Sequence, residues 1–360
     1  MNLNKPYQWS EECAKSELDL FTVPPVQTSV EDGVFDIIES SKTVNDNAVV
    51  TFEIPNSNDS YIDLSAPEMH FDVQIVDALG NGYAPRKKIA PVNNFIHSLF
   101  RQVQIRLNNA RIETTNNNYP YRAYYENLLL YNKESKETFL KPAGWIKDSV
   151  DFEATSLVSA KKSDAIKLEV VGATAATGAT PHVQLKEAVP ADIIANPGFI
   201  TRNKLYENGK TVQLVDQLHC DICNINRYMV NNMGIIFEFT KANPEFYLMG
   251  DDAANYKVKF VRAFLRIRRC IISAQVMLAH VMALEKTTAK YPIKRIVVND
   301  FAVDAGVSSF RLDKIVNGIL PSRLVLGFVT NEASDGKFTA NPFNFQNLAI
   351  RTINVVYANV

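Results

Sequence analysis

The chain has 360 residues, 46% of them hydrophobic and 21% charged, with 38 Lys and Arg against 39 Asp and Glu. That apolar content excludes wholesale disorder and a collagen-like chain, because it supplies enough surface for burial to offset the entropy of folding. A formal net charge of −1 excludes attraction of the whole molecule to nucleic acid or to an anionic membrane, so any such contact is local.

In chain order, the N-terminus lacks a cationic start followed by an apolar run, so a secretory signal is not expected. Val49–Ile54, Met69–Val76 and Val103–Leu107 alternate with period two, Met69, Phe71, Val73 and Ile75 facing one way and His70, Asp72 and Gln74 the other, which predicts half-buried strands. Polar clusters such as Pro55-Asn56-Ser57-Asn58-Asp59 and Asn116-Asn117-Asn118 separate them as turns. A helix is expected over about 120–138, with Pro120 in its first turn and Tyr121, Tyr124, Tyr125, Leu128, Leu129 and Tyr131 at helical spacing. The small-residue stretch 172–181 is a surface loop.

Strand patterns resume at Val212–Leu218, Gly234–Phe239, Tyr256–Ile272, Ile293–Val303, Arg323–Val329 and Leu348–Tyr357. A second helix is expected over about 273–288, largely buried, because it is apolar almost all round. The apolar run containing it, Cys270–Leu284, would reach ~22 Å as a helix against the ~30 Å of a bilayer core, so no membrane span is expected. The helices near 120 and 273 suggest one plan used twice at an offset of about 150 residues. Short, regularly spaced strands without βαβ alternation point to sandwiches, including jelly rolls.

Chemical motifs are sparse. Asn208-Gly209-Lys210-Thr211 ends like a phosphate loop, but Lys204 occupies the position of the required glycine, so a hairpin turn is expected. His219-Cys220-x-x-Cys223 has the spacing of half a zinc site, with no second pair from Cys13 or Cys270; the two cysteines read as small buried hydrophobes, and no metal or cofactor is expected. Four cysteines are too few for a disulfide scaffold and imply a reducing compartment. No Gly-x-Ser-x-Gly elbow or His-Glu-x-x-His helix occurs, which lowers the expectation of an enzyme. The adjacent acids Asp251 and Asp252 read as solvated loop residues. The densest charge lies in Tyr256–Arg269, where Lys257, Lys259, Arg262, Arg266, Arg268 and Arg269 form the polar face of a bent strand with a β-bulge near Val261 to Phe264. These six are the candidate contacts to an acidic neighbouring subunit or to nucleic acid.

Leu18-Asp19-Leu20-Phe21-Thr22-Val23-Pro24-Pro25-Val26-Gln27-Thr28-Ser29, Tyr61-Ile62-Asp63-Leu64-Ser65 and Pro91-Val92-Asn93-Asn94-Phe95-Ile96-His97-Ser98-Leu99-Phe100 resemble the major capsid protein of Polinton (Maverick) elements and adintoviruses. Tyr119-Pro120-Tyr121-Arg122-Ala123-Tyr124, Tyr291-Pro292-Ile293 and Asn341-Pro342-Phe343-Asn344-Phe345 extend the resemblance from about residue 18 to the end. It implies a mainly all-β protein of two side-by-side eight-stranded jelly rolls with a few short helices: an arm over 1–17, a first roll over 18–198 and a second over 199–360. The family pattern continues beyond the strand ending at Val360, so the second roll is expected to be incomplete at its C-terminal end, with unpaired edges. The resemblance also implies a homotrimer of pseudo-hexagonal outline, packed against neighbouring capsomers, penton and minor capsid proteins in an icosahedral shell. Such a shell encloses double-stranded DNA without reading its sequence, and the chain would be intracellular before assembly. It carries over no catalytic residues. The alternatives are a jelly-roll module binding carbohydrate or protein, and a sandwich-fold hydrolase.

Overall fold

A computed structural model describes residues 20, 27–45, 47–149, 151–157, 168–171, 182–185, 196–307, 309–312, 315, 321–348 and 350–354. The expected arm over 1–17 and the loop over 172–181 lie outside the described residues, as does Cys13. Eight strands form the centre: β1 (Val30–Glu39), β2 (Val49–Ile54), β3 (Ser60–Val76), β4 (Phe100–Leu107), β5 (Ala110–Thr114), β6 (Val212–Gln217), β7 (Ile235–Lys241) and β8 (Lys257–Ile272). Their sequences dictate this, since alternate apolar side chains must share one face. Met69, Phe71, Val73 and Ile75 of β3 are all fully buried, whereas His70, Asp72 and Gln74 are only half-buried.

The strands make two four-stranded antiparallel sheets, in the orders β1-β8-β3-β6 and β2-β7-β4-β5. Within these sheets β1 pairs with β8, β2 with β7, β3 with β6 and β4 with β5, as if one long hairpin had been rolled up. This nesting is the strand order of a jelly roll. The sheets meet across an aromatic spine: Phe71 of β3 lies 5.1 Å from Phe100 of β4, which lies 5.1 Å from Phe239 of β7, and Phe52 of β2 meets Phe239 edge-on at 5.6 Å. Such ring pairs add to the burial of apolar area that holds the two layers together.

The fold class is the expected one, mainly β with short helices. Sheet pairing, however, crosses the expected boundary at 198/199. That position lies in the long β5–β6 connection, and β6, β7 and β8 interleave with β1 to β4. The offset between the two expected helices misleads because they occupy unlike places. α1 (Tyr119–Leu130) lies inside the β5–β6 connection, while the helix near 273 follows the last strand.

α1 ends before Asn132, whose side chain accepts from Ser135 N at 2.8 Å to start the one-turn helix Lys133–Glu137. A helix the sequence reading missed, α2 (Pro197–Tyr206), is capped by Asn196, which accepts from Gly198 N at 3.1 Å and Phe199 N at 3.3 Å. Asn208 and Gly209, expected as a strand hairpin, instead turn the chain from α2 into β6 with φ of 60° and 68°. Gly82 packs against this turn so closely that a Cβ on it would lie 2.0 Å from Gly209 N.

The expected bulge is present: the β8–β3 register shifts between Phe260 and Arg262, leaving Val261 exposed, and shifts again between Arg266 and Arg268. The helix after β8, α3 (Ala274–Leu284), differs from its expected buried state. None of its residues is buried, and Leu278 is 61% exposed. Apolar periodicity shows that a helix face seeks cover but not what supplies it. Ile293–Val303 and Arg323–Val329, expected as strands, form none; neither do the described residues of Leu348–Tyr357. Strand-forming residues become strands only when a ladder partner satisfies their backbone groups.

Even so, this last segment straps across the roll. Ile296 N donates to Asp221 Oδ1 at 3.1 Å, Asn118 Nδ2 to Asp300 Oδ1 at 3.0 Å, and Phe343 stacks on Tyr124 of α1 at 4.3 Å.

Candidate interaction surface and a buried polar centre

β8 carries all six sequence-predicted contact residues and lies between β1 and β3. Antiparallel pairing brings carboxylates from both neighbours beside its arginines. Arg262 pairs with Glu39 at 2.8 Å, Arg266 with Glu68 at 3.2 Å, Arg268 with Asp63 at 3.6 Å, and Arg269 with Asp36. Arg266 also lies 4.0 Å over the ring of Phe35, and Arg262 4.4 Å over that of Phe264. The stripe that looked free for an acidic partner is therefore largely neutralised within its own sheet. Lys257 and Lys259 stand opposite Val76 and Gln74, with no carboxylate across the ladder, and both are exposed. At the other end of β8, opposite Phe264–Ile272, β1 is the sheet's edge strand and exposes Val34, Phe35 and Ile37, an apolar edge open to pairing.

Asp251 and Asp252, expected as solvated acids, pair with Lys88 at 2.8 Å and Lys87 at 3.4 Å on the surface. Cys220 and Cys223 are free, buried and part of the main apolar core, the role expected of them. Burial pushes the Cys220 thiol well above its ordinary value, and the neighbouring Cys223 reinforces this.

The sequence reading missed a buried polar centre where α1, the short helix Phe95–Ser98, β5 and the end of β6 meet. At its heart Arg122 donates to three carboxylates: Nη1 to Glu113 at 2.8 Å, Nε to Glu126 at 2.9 Å and Nη2 to Asp221 at 2.7 Å. Burial opposes the guanidinium's charge, but Glu126, Asp221 and Glu113 outweigh it and raise its pKa. Burial raises Glu113, and the backbone N–H of Asp221 and of Ile222 partly offsets this. Glu126 is held below its ordinary value despite burial, chiefly by its 2.6 Å bond to His219 Nδ1.

Beside this network His97 Nδ1 bonds Tyr119 Oη at 2.9 Å and Nε2 bonds Asp216 Oδ2 at 2.9 Å. The rings of His97 and His219 lie 4.7 Å apart. Burial pushes the His97 pKa down, against the pull of Asp216. One sequence signal was available, the i,i+4 spacing of Arg122 and Glu126 on α1. The pairing of His97 with Asp216, 119 residues apart, leaves no local trace.

No protein-family model matches the chain. It is similar to an uncharacterized protein of Caenorhabditis elegans, 22% identical over 345 residues covering 93% of this chain and 72% of that protein. Among solved structures it is similar to the Faustovirus major capsid protein, at 9% identity over 74% of this chain and 58% of that one, with a TM-score of 0.42. It is also similar to the mavirus major capsid protein, at 14% identity over 76% and 54% with a TM-score of 0.33. A third is PBCV-1 VP54 fitted into a reconstruction of the virophage Sputnik, at 11% identity over 72% and 46% with a TM-score of 0.38. The chain spans about half the length of these solved chains. Among the described residues no helix is long and apolar enough to cross a membrane.

Proposed function

We propose that the chain is a capsid-type structural subunit, the shell protein of a Polinton (Maverick)-like or adintovirus-like element, which works by self-association and not by catalysis. The observation that carries this reading is the nested jelly-roll order, β1-β8-β3-β6 against β2-β7-β4-β5, in a chain that also bears the capsid-like motifs in sequence. Those motifs occupy junctions of the fold. Tyr61–Ser65 lies in β3, Pro91–Phe100 leads into β4, and Tyr119–Tyr124 opens α1 and receives Phe343 of the motif Asn341–Phe345.

On this reading the first roll closes at Ile272 and the segment from Ser273 onward begins a second. Its apolar side chains (Leu278, Val281, Met282, Val297, Phe301, Leu326), exposed in the single chain, are covered when subunits associate as trimers and trimers tile a shell around double-stranded DNA. Lys257 and Lys259 are the contacts left for an acidic neighbour or packaged DNA. Penton and minor capsid proteins complete the shell, and the virion is the protein's destination. A non-enzymatic role is supported by the complete burial of His97, which closes the His97, Asp216 and Tyr119 arrangement to any substrate.

Electron microscopy of the purified chain tests the proposal. Particles with three-fold symmetry are expected, and closed-ring or shell-like assemblies at high concentration. Isolated single-roll particles that bind an oligosaccharide saturably would overturn it in favour of a binding module.

A further inference from the structure

We propose that His97 Nε2, His219 Nε2 and Asp216 Oδ2 form a binding site for a divalent transition-metal ion, Zn²⁺ being the best match, which fastens the β3–β4 connection to the end of β6. One ligand atom from each of the three buried residues lies within 4.8 Å of the others. The two imidazoles and one carboxylate are the donor set zinc takes in three-ligand sites. Ligands of a tetrahedral ion at ~2.0–2.1 Å sit roughly 3.4 Å apart, so binding spreads His97 Nε2 and Asp216 Oδ2 slightly from their 2.9 Å contact and brings the third ligand atom, within 4.8 Å of them, to a similar distance.

Three further observations support a metal over a purely hydrogen-bonded cluster. First, His219 is 8% exposed and its Nε2 has no hydrogen-bond partner. Its Nδ1 faces the Glu126 carboxylate at 2.6 Å, and a carboxylate can only accept, so Nδ1 carries a proton and Nε2 is the ring atom left for a ligand. Second, the atom of each ligand that would not touch the ion already has a partner: His219 Nδ1 has Glu126, His97 Nδ1 has Tyr119 Oη, and Asp216 Oδ1 accepts from Gln217 N at 2.7 Å. This is the outer-shell pattern that orients metal ligands. Third, the centre holds four carboxylates no more than about a tenth exposed (Glu113, Glu126, Asp216, Asp221) with Arg122 bonded to three of them. Buried negative charge without a counter-ion is costly, and a divalent cation supplies it.

The proton balance is simple. Without metal, His97 Nε2–H donates to Asp216 and Nδ1 accepts from the Tyr119 hydroxyl. On binding, the ring changes tautomer: Nε2 gives up its proton and Nδ1 takes one up by exchange with solvent, so the ring stays neutral with no net release of a proton, Nδ1–H donates to Tyr119 Oη, and the hydroxyl serves either tautomer.

The test uses the full chain, stripped with chelator and incubated with Zn²⁺ or Co²⁺, then desalted for elemental analysis, visible absorption and thermal melting. The expected result is one ion per chain, ligand-field bands from Co²⁺ in a low-symmetry site, and a melting temperature that Zn²⁺ raises and chelator lowers reversibly. His219→Gln should abolish stoichiometric binding, and Glu126→Gln, a positioning change, should weaken it by about 10- to 100-fold. Absence of bound metal in the unsubstituted chain, with melting indifferent to Zn²⁺ and chelator, would overturn the site. So would stoichiometry unchanged in His219→Gln, which would place the ion elsewhere. If a variant fails to fold, the chelator and Zn²⁺ melts of the unsubstituted chain decide alone.

Discussion

Arg122 shows what a single residue can commit a fold to. Its guanidinium, 3% exposed, is bonded to three carboxylates drawn from β5, α1 and the turn after β6. Removing it strands those charges in a low-dielectric interior. Arg122→Ala is therefore expected to cost about 3–5 kcal/mol, read as a lowered urea midpoint, and a loss under 1 kcal/mol would mean that the carboxylates are solvated or protonated. The buried phenols set the alkaline limit. Burial raises Tyr124 and Tyr247 from 10 to about 12, whereas in the unfolded chain they ionise near 10. Above pH 10 the unfolded state sheds protons that the folded state keeps, so their contribution is full below pH 10 and is lost as pH rises towards 12. Melting curves should be flat from pH 8 to 9.5 and fall beyond it, and Tyr124→Phe should make that fall shallower. An unaltered fall would assign it to other groups. At the surface, the intrachain pairing of four of the six basic residues of β8 predicts that Lys257→Ala with Lys259→Ala weakens any DNA retention far more than Arg262→Ala does, in a filter assay at low salt.

Elements were legible in the sequence where local pattern and tertiary demand agreed. The alternation in β2, β3, β4, β6, β7 and β8 survives because each has two layers to separate, and α1 was visible from its aromatic spacing and Pro120. α2 was missed because its buried face includes Arg202 and Asn203, which carry no apolar period. Arg202 is buried against Asp148 at 2.5 Å and the carbonyl of Pro91 at 2.6 Å, partners no periodicity could announce. α3 failed the other way: Val276 and Met277 pack against Tyr61, Cys270 and Ile272, but Leu278, Val281 and Met282 have no cover. The sequence alone would make Leu278→Asp fatal to folding. The structure predicts a change within about 0.5 kcal/mol in the melting of the isolated chain, since Leu278 is a surface side chain. Its expected effect is on association, measured as loss of higher-mass species. A melt lowered by several kcal/mol would show that Leu278 is packed in the single chain after all.

At the scale of the whole molecule the described residues form one eight-stranded jelly roll, β1 to β8, followed by a strap of strand-forming sequence that finds no ladder partner among them. That division was not legible in the sequence. Pairings such as Glu39 with Phe264 or Asp72 with Gln213 join residues far apart, and two helices at similar spacing imitated a repeat. On the proposed reading, neighbouring subunits complete the exposed edge of β1, the outer face of α3 and the unpaired strap. The most direct test of that reading is the mass of the purified 360-residue chain in solution, by light scattering behind size exclusion at two concentrations. A stable species near three times 40.4 kDa at both is the predicted result, and a well-folded monomer at high micromolar concentration would contradict it.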